Sequence, residues 1–118
     1  TDRQERFIVA ELIREHAMRH LRQEVPHALA VTVQEMKERP NEMIYILAHL
    51  YVEKESQKGI VIGRNASMLK KIGHDARIDL QRFLDSKVYL DLQVRVRKDW
   101  RRNERALQQF GYTLQRQA

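Results

Sequence analysis

The sequence predicts an α+β protein of one domain, and three observations support this fold class. Apolar residues recur at helical spacing in 2–22 and in 67–84, whereas they alternate with other residues in 27–36, 43–53 and 87–97. The length of 118 residues suits a single domain with a single core. The chain has no cysteine, so neither disulfides nor cysteine-ligated zinc can stabilise it.

The first half of the chain predicts a helix followed by a hairpin. The helix spans 2–22, and Pro26 prevents it from continuing. The strands at 27–36 and 43–53 are joined by the polar turn ERPNE, and such a short connection favours antiparallel pairing. In the second strand the apolar face is Ile44, Ile46, Ala48, Leu50 and Val52.

The second half predicts a helical turn, a helix, a strand and a last helix. Residues 57–62 are too short for their periodicity to distinguish strand from helix, and we assign them to the helical turn. The helix at 67–84 carries a clear apolar stripe, and 87–97 is the cleanest strand. A short charged helix from Trp100 to Phe110 follows, with Gly111 as a plausible stop.

Positive charge is concentrated at one place in the chain. The formal net charge is +6, which permits a polyanionic partner but does not require one. Between residues 57 and 73 there are four basic side chains and no acidic one, namely Lys58, Arg64, Lys70 and Lys71. A second basic group comprises Arg95, Arg97, Lys98, Arg101 and Arg102.

No pattern of an enzyme, a metal site or a membrane span is found in the sequence. His16 and His20 have the i, i+4 spacing of helical metal ligands, but no third ligand is evident nearby. The stretch from Gly59 to Asn65 reads G-x-x-x-G-R-N, which differs from a P-loop in spacing and chemistry, so we expect no GTP hydrolysis. No apolar run approaches the roughly 20 residues of a membrane helix, and no cofactor is predicted.

Four stretches carry a resemblance to a known family. They are TDRQERFIVAELIRE, VEKESQKGIVIG, LKKIG and SKVYLDLQVRVRKDWR. Together they resemble the carboxy-terminal type II KH domain of the bacterial Era GTPase family. The resemblance covers residues 1–112 as one domain and leaves 113–118 as a tail that we expect to fray. It implies a three-stranded mixed sheet with helices packed on one face, plus the short carboxy-terminal helix.

The family loop usually reads glycine, basic residue, glycine, glycine, and here it reads Gly63, Arg64, Asn65 and Ala66. Asparagine tolerates the left-handed region better than most residues, so Asn65 can keep the bend. Two alternatives stay open for Ala66. If it opens the following helix with negative φ, alanine fits well; if it needs positive φ, alanine costs about 1–2 kcal/mol. We expect a folded domain whose RNA clamp is weakened or altered.

The resemblance implies a set of RNA-binding residues. Those holding the backbone would be Lys58, Gly63, Arg64, Asn65, Ala66, Lys70 and Lys71. Ile60 and Ile62, with residues of the 43–53 strand, would line a groove for bases. The competing interpretation is a solvated face for the cations and core packing for the isoleucines.

The aromatic residues have similar alternatives. Tyr45, His49 and Tyr51 could stack on bases, although packing under the first or last helix is slightly favoured. Trp100 is expected to be a buried anchor.

The function implied by the resemblance is non-enzymatic binding of single-stranded RNA. The expected partners are the 3′ end of 16S rRNA and the small ribosomal subunit, in whose assembly the family acts, and the expected state is a cytoplasmic monomer. Membrane association is expected only through the full-length family protein. Two alternatives remain. One is a protein-interaction or structural domain with impaired RNA binding, which Asn65 and Ala66 favour. The other is an enzyme whose site is not recognised.

Overall fold

The structure is a computed structural model that describes residues 2–21 and 29–98. Within these ranges the element order confirms the predicted one. The elements are α1 (Asp2–Leu21), β1 (Ala30–Glu38), β2 (Met43–Val52), α2 (Glu55–Ile62), a 3₁₀ turn (Arg64–Ala66), α3 (Ser67–Leu84) and β3 (Lys87–Val96). The predicted helix at 100–110, with Trp100, lies outside the described residues. No helix in the described ranges is both long and apolar enough to cross a membrane.

The three strands form one mixed sheet in the order β1–β2–β3. β1 and β2 are antiparallel, as the short ERPNE connection predicts, whereas β2 and β3 are parallel. β2 is therefore central, and β3 is an edge strand beside which α3 lies. This arrangement confirms the mixed sheet that the resemblance implies.

β1 differs from its predicted strand at its end. The register shifts between Val33 and Glu35, so one extra residue is inserted opposite β2. Val33 pairs with Ala48, and Met36 pairs with Ile46, so both point to the buried face although they are three residues apart. The bulge breaks the alternation after residue 33, and the strand continues to 38 rather than ending at 36.

The core lies between one face of the sheet and the helices α1 and α3. From β2 it takes Ile46, Ala48, Leu50 and Val52, which are fully buried and alternate along the strand as predicted. Each large apolar side chain contributes about 1.5–3 kcal/mol through burial. From the helices come Val9, Ile13, Ala17, Ile72, Ala76 and Leu80, at the spacing of one helical face.

Tyr45, His49 and Tyr51 lie on the other face of β2. α1 packs on the core face, so the predicted packing of these residues under the first helix is wrong. Tyr45 instead stacks on Tyr89 of β3 with ring centroids 5.9 Å apart, and its hydroxyl donates a hydrogen bond to Asp91 at 3.1 Å. Partial burial and the Asp91 carboxylate raise the pKa of Tyr45 above its ordinary value.

Two histidine–aspartate pairs join α1 to α3. His16 of α1 pairs with Asp79, and His20 pairs with Asp75 at 2.7 Å. The second carboxylate oxygen of Asp75 contacts His74 at 3.1 Å. The two candidate metal ligands of α1 are therefore paired with carboxylates, and within 2–21 and 29–98 no group of three His, Cys, Asp or Glu side chains is arranged so that it could hold a metal ion.

These pairs predict a pH-dependent stability. Hydrogen bonds from His74 and then His20 hold the pKa of Asp75 below its ordinary value of 3.8. A carboxylate with a lowered pKa stabilises the fold above its ordinary pKa, and this stabilisation is lost as the pH falls through the lowered value. We expect Asp75→Asn to lower the urea midpoint at pH 5 and to have no effect at a pH where the carboxyl is protonated in both states.

The control is Glu15→Gln, which breaks an exposed pair with Arg19 on α1. Such surface pairs contribute about 0–1 kcal/mol, so this change should have a small effect at both pH values. An equal effect of Asp75→Asn on the urea midpoint at pH 5 and at the pH where the carboxyl is protonated in both states would contradict the predicted titration.

Candidate nucleic-acid interface

A sharp corner at Gly63 joins α2 to α3. Its φ of 75° and ψ of 172° lie in a region that is essentially restricted to glycine. A Cβ atom on Gly63 would lie 2.8 Å from both the Cβ and the backbone nitrogen of Met68, closer than real side chains approach. Its N–H donates to the carbonyl of Gly59 at 2.9 Å and closes α2. The corner therefore requires glycine for both conformation and space.

The two residues before α3 are both left-handed. Asn65 has φ 54° and Ala66 has φ 61°, while Ser67 already has the helical φ of −63°. Of the two alternatives open for Ala66, the structure therefore has positive φ. Asparagine is suited to this region, but alanine is not, and its cost there is about 1–2 kcal/mol. The side chain of Ala66 is small enough for the loop, but its positive φ strains the backbone there.

The helix that follows begins without a side-chain cap. No side chain of the described residues caps the 3₁₀ turn or α3, and the first turn of α3 has no acidic residue. The first N–H groups of a helix have no partner within it, and together with the helix dipole they attract anions. Arg64 and Asn65 are exposed beside them, as are Lys70 and Lys71. The corner combines backbone donors with cations, which suits a phosphate.

A groove runs from this corner between α3 and the edge strand β3. Its volume is about 330 Å³, within the range of about 300–1,000 Å³ that is common for ligand sites. Apolar side chains of both elements line it, and basic side chains of α3 stand at its rim. The lining residues are Ala66, Leu69, Lys70, Gly73, His74, Arg77, Leu90 and Leu92.

The predicted site residues are only partly brought together here. Ala66 and Lys70 line the groove, and Gly63, Arg64 and Asn65 form the corner at its end. Lys71 is exposed on α3 without lining the groove. Lys58 is half-buried on α2.

Ile60 and Ile62 are half-buried and pack against the core, and neither lines the groove. Between them Val61 is fully buried. RNA contact by the two isoleucines stays a prediction. The strand that lines the groove is β3 and not the one at 43–53, because that strand is central and pairs on both sides.

Six residues that line the groove were not predicted as site residues from the sequence, namely Leu69, Gly73, His74, Arg77, Leu90 and Leu92. Gly73, His74 and Arg77 extend the line of Ala66 and Lys70 along α3 at helical spacing, so the helical period alone could have identified them. Leu90 and Leu92 were not predicted either. Their position beside the groove follows from the parallel pairing of β3 with β2, which local periodicity does not reveal.

Other cavities suit a polyanion less well, because acidic side chains line each of them. Two lie at the far end of α3, where Glu5, Glu38, Glu42 and Asp85 line them together with Arg6, Lys37 and Lys87. Negative side chains there would repel phosphate groups. Of the cavities described, the groove beside the corner is the one that combines apolar and basic side chains without an acidic one.

A comparison with known families agrees with this geometry. The model of the KH domain family matches residues 24–101. The chain belongs to the KH domain family. The left-handed corner, its two flanking helices and the groove beside it thus lie in the part of the chain that the KH family model matches.

Proteins named GTPase Era are similar to nearly the whole chain. The KH domain is 51% identical over 114 residues to that of Carboxydothermus hydrogenoformans, with 96% of this chain and 38% of the relative covered. It is 53% identical to that of Geobacter metallireducens, with the same shares covered. The chain thus spans well under half the length of these relatives.

Two crystal structures have the same fold. One is an Era variant from Aquifex aeolicus bound to GDP and AlF₄⁻, and the other is Era in complex with MgGDPNP and nucleotides 1506–1542 of 16S ribosomal RNA. Each is 40% identical to the KH domain described here, with a TM-score of 0.89 and coverage of 92% of this chain and 37% of the other.

The left-handed alanine gives a stability prediction. Ala66→Gly should stabilise the domain by about 0.5–1 kcal/mol, because relief of the backbone strain exceeds the entropy that glycine loses on folding. Asn65→Gly is the matched control and should have little effect, since asparagine tolerates the same conformation. Urea unfolding of the two variants measures the difference. Equal changes in both, or none in Ala66→Gly, would contradict the strain at Ala66.

Proposed function

We propose that this KH domain binds single-stranded RNA without catalysing a reaction. The observation that carries the proposal is the uncapped amino terminus of α3, which opens beside exposed Arg64 and Lys70 onto an apolar groove. Backbone donors and cations match a phosphate, and an apolar floor matches the face of a base. A single strand of RNA presents one phosphate and one base face in every nucleotide. KH loops in general clamp about four nucleotides.

Single strands suit the groove better than a duplex does. In a duplex the faces of the bases are stacked on one another and only their edges are accessible. The floor at Leu90 and Leu92 is half-exposed and apolar, so it can contact the face of a base only when that base is unstacked. His74, Lys70 and Arg77 at the rim remain near the sugar–phosphate backbone or the polar base edges.

The relatives suggest which RNA this is. A structural relative, Era, was crystallised with nucleotides 1506–1542 of 16S ribosomal RNA. On this basis we assign the 3′ end of 16S rRNA as the partner and assembly of the small ribosomal subunit as the process. We further assign a cytoplasmic location, a monomeric state, a single domain over 1–112 and a tail at 113–118. Any membrane association would belong to a full-length protein of the Era type.

We assign no GTP hydrolysis to this chain. The relatives from Carboxydothermus hydrogenoformans and Geobacter metallireducens are GTPases by name, but the chain covers 38% of their length. The only glycine-rich stretch here is the KH corner, whose sequence lacks the lysine and the spacing of a P-loop. Its role in such a protein would be to hold RNA.

The charge at the corner predicts a salt-dependent affinity. Arg64→Ala combined with Lys70→Ala should weaken binding to the 1506–1542 RNA and reduce the slope of log K against log salt concentration. The reduction should be about 0.7–1 for each cation, because each phosphate contact releases counterions. Fluorescence anisotropy at several salt concentrations measures both quantities.

The control for this experiment removes two cations elsewhere. Lys37 lies on β1 at the other edge of the sheet, and Arg82 lies 12 residues beyond Lys70 on α3, about 18 Å along the helix. Lys37→Ala with Arg82→Ala changes the net charge equally but should leave the slope nearly unchanged. Equal effects of the two double variants would mean that RNA is attracted by net charge and not held at the corner. Negligible binding at low salt would favour a protein-interaction domain.

The departures from glycine in the loop predict a weakened clamp. Replacing both Asn65 and Ala66 by glycine should tighten RNA binding, because the Asn65 side chain and the Ala66 methyl group narrow the approach of a phosphate to the loop backbone. Anisotropy with the same RNA measures the gain, and urea unfolding shows whether folding has also changed. An unchanged or weaker affinity in a stably folded double variant would show that these side chains do not limit the clamp.

A further inference from the structure

Gly73 is a glycine in the interior of α3, and neither the fold nor the helix requires it. Glycine in a helix interior costs about 1 kcal/mol relative to alanine. Among the described residues, a Cβ atom at this position would meet one neighbour, Cδ1 of Leu92, at the ordinary contact distance of 3.6 Å. Gly63, by contrast, has positive φ and no room for a Cβ. Alanine would therefore be accepted at residue 73 by both the backbone and the packing.

The missing side chain of Gly73 matters for the groove. Gly73 and Leu92 both line it from opposite sides, one from α3 and one from β3. Without a Cβ, a notch remains between the helix backbone and the leucine. A methyl group at residue 73 would touch Leu92 and fill this notch, so the floor of the groove would rise at that point.

The side chains around the notch indicate what it receives. Leu90 and Leu92 provide an apolar floor, and Lys70 and Arg77 stand at the rim. His74 is also at the rim and is held there by Asp75. A flat apolar ring with polar edges, attached to a phosphate, matches this combination, and a nucleobase is such a group.

We propose that Gly73 is a specificity-determining residue whose missing side chain makes room for one nucleobase of the bound strand. The inference rests on the proposed RNA-binding function and adds to it a contact that depends on shape rather than charge. The base enters between α3 and β3 with its face against the leucine floor. Because glycine at this position weakens the helix, the domain gives up stability for access to the groove.

The test is Gly73→Ala, measured with the 1506–1542 RNA of 16S rRNA. The variant should fold with a higher urea midpoint and bind this RNA about tenfold more weakly, since one base contact contributes on the order of a tenfold change in affinity. Its salt slope should equal that of the wild type, because no phosphate contact is removed. This combination separates a steric effect in the groove from the charge effect of Arg64→Ala with Lys70→Ala.

Gly59→Ala is the matched control. Gly59 lies inside α2, and a Cβ there would have no neighbour within 4 Å among the residues that the structure describes. This variant should also raise the urea midpoint, because it removes a helical glycine, but it should leave RNA affinity unchanged. A loss of affinity in both variants would show that rigidity and not the notch is responsible, and would overturn the proposal.

RNAs with single abasic sites locate the contact. At one position the missing base should weaken binding to the wild type, while on that RNA Gly73→Ala should cause no further loss. Three results would overturn the role of Gly73. Gly73→Ala could bind RNA with wild-type affinity, it could have a lower urea midpoint than the wild type, or it could bind every abasic RNA more weakly than the wild type does. If the wild type binds RNA and only the cation variants weaken it, this inference alone fails; if the wild type binds no RNA, the proposed function fails.

Discussion

The close approach of Gly63 to Met68 is the constraint on which the site depends. Because Gly63 has no side chain that would collide with Met68, the chain can leave α2 and enter α3 within four residues. The turn places the amino terminus of α3 beside Arg64 and Asn65, which are exposed to solvent. A wider connection would move these donors away from the groove. The conformation of a single residue thus sets the geometry of backbone donors, cations and apolar floor.

The sheet and α1 hold α3 in the position that this geometry requires. α3 is held against the sheet by Ile72, Ala76 and Leu80, which are fully buried. On its other side the pairs of Asp75 and Asp79 with histidines of α1 fix its position along the neighbouring helix. Among the described strands, β3 pairs with β2 alone, so its half-exposed Leu90 and Leu92 are left beside α3 as the floor of the groove. The domain stabilises one side of α3 and keeps the other open.

How much of this the sequence predicts depends on whether a feature is local. The helix at 67–84 and the strand at 87–97 follow from periodicity, and Gly63 with Arg64 is recognised from the loop resemblance. The bulge in β1 is not visible in the pattern, since an inserted residue changes only the phase of alternation. The positive φ of Ala66 could be stated only as an alternative, because alanine itself favours the helical region.

Features that depend on strand order were the ones missed. Residues 43–53 were expected to line the groove, but parallel pairing places β3 there, and the sequence does not state which strand is at the edge. Tyr45, His49 and Tyr51 were expected under the first or last helix. They lie on the face opposite the core and α1, and the last helix lies outside the described residues. Burial of His49 and the nearby charge of Arg95 lower its pKa, which favours the neutral imidazole and disfavours it as a phosphate ligand.

The most direct test of RNA binding at this corner is an NMR titration of the ¹⁵N-labelled chain with the 1506–1542 RNA of 16S rRNA. If the corner and groove hold the strand, the largest amide shift changes should fall on Gly63 to Lys70, on Gly73 and on Leu90 and Leu92. The outer face of the sheet at Tyr45 and Tyr89 should change little. Shift changes centred on that outer face, with those of the corner unaffected, would contradict the site.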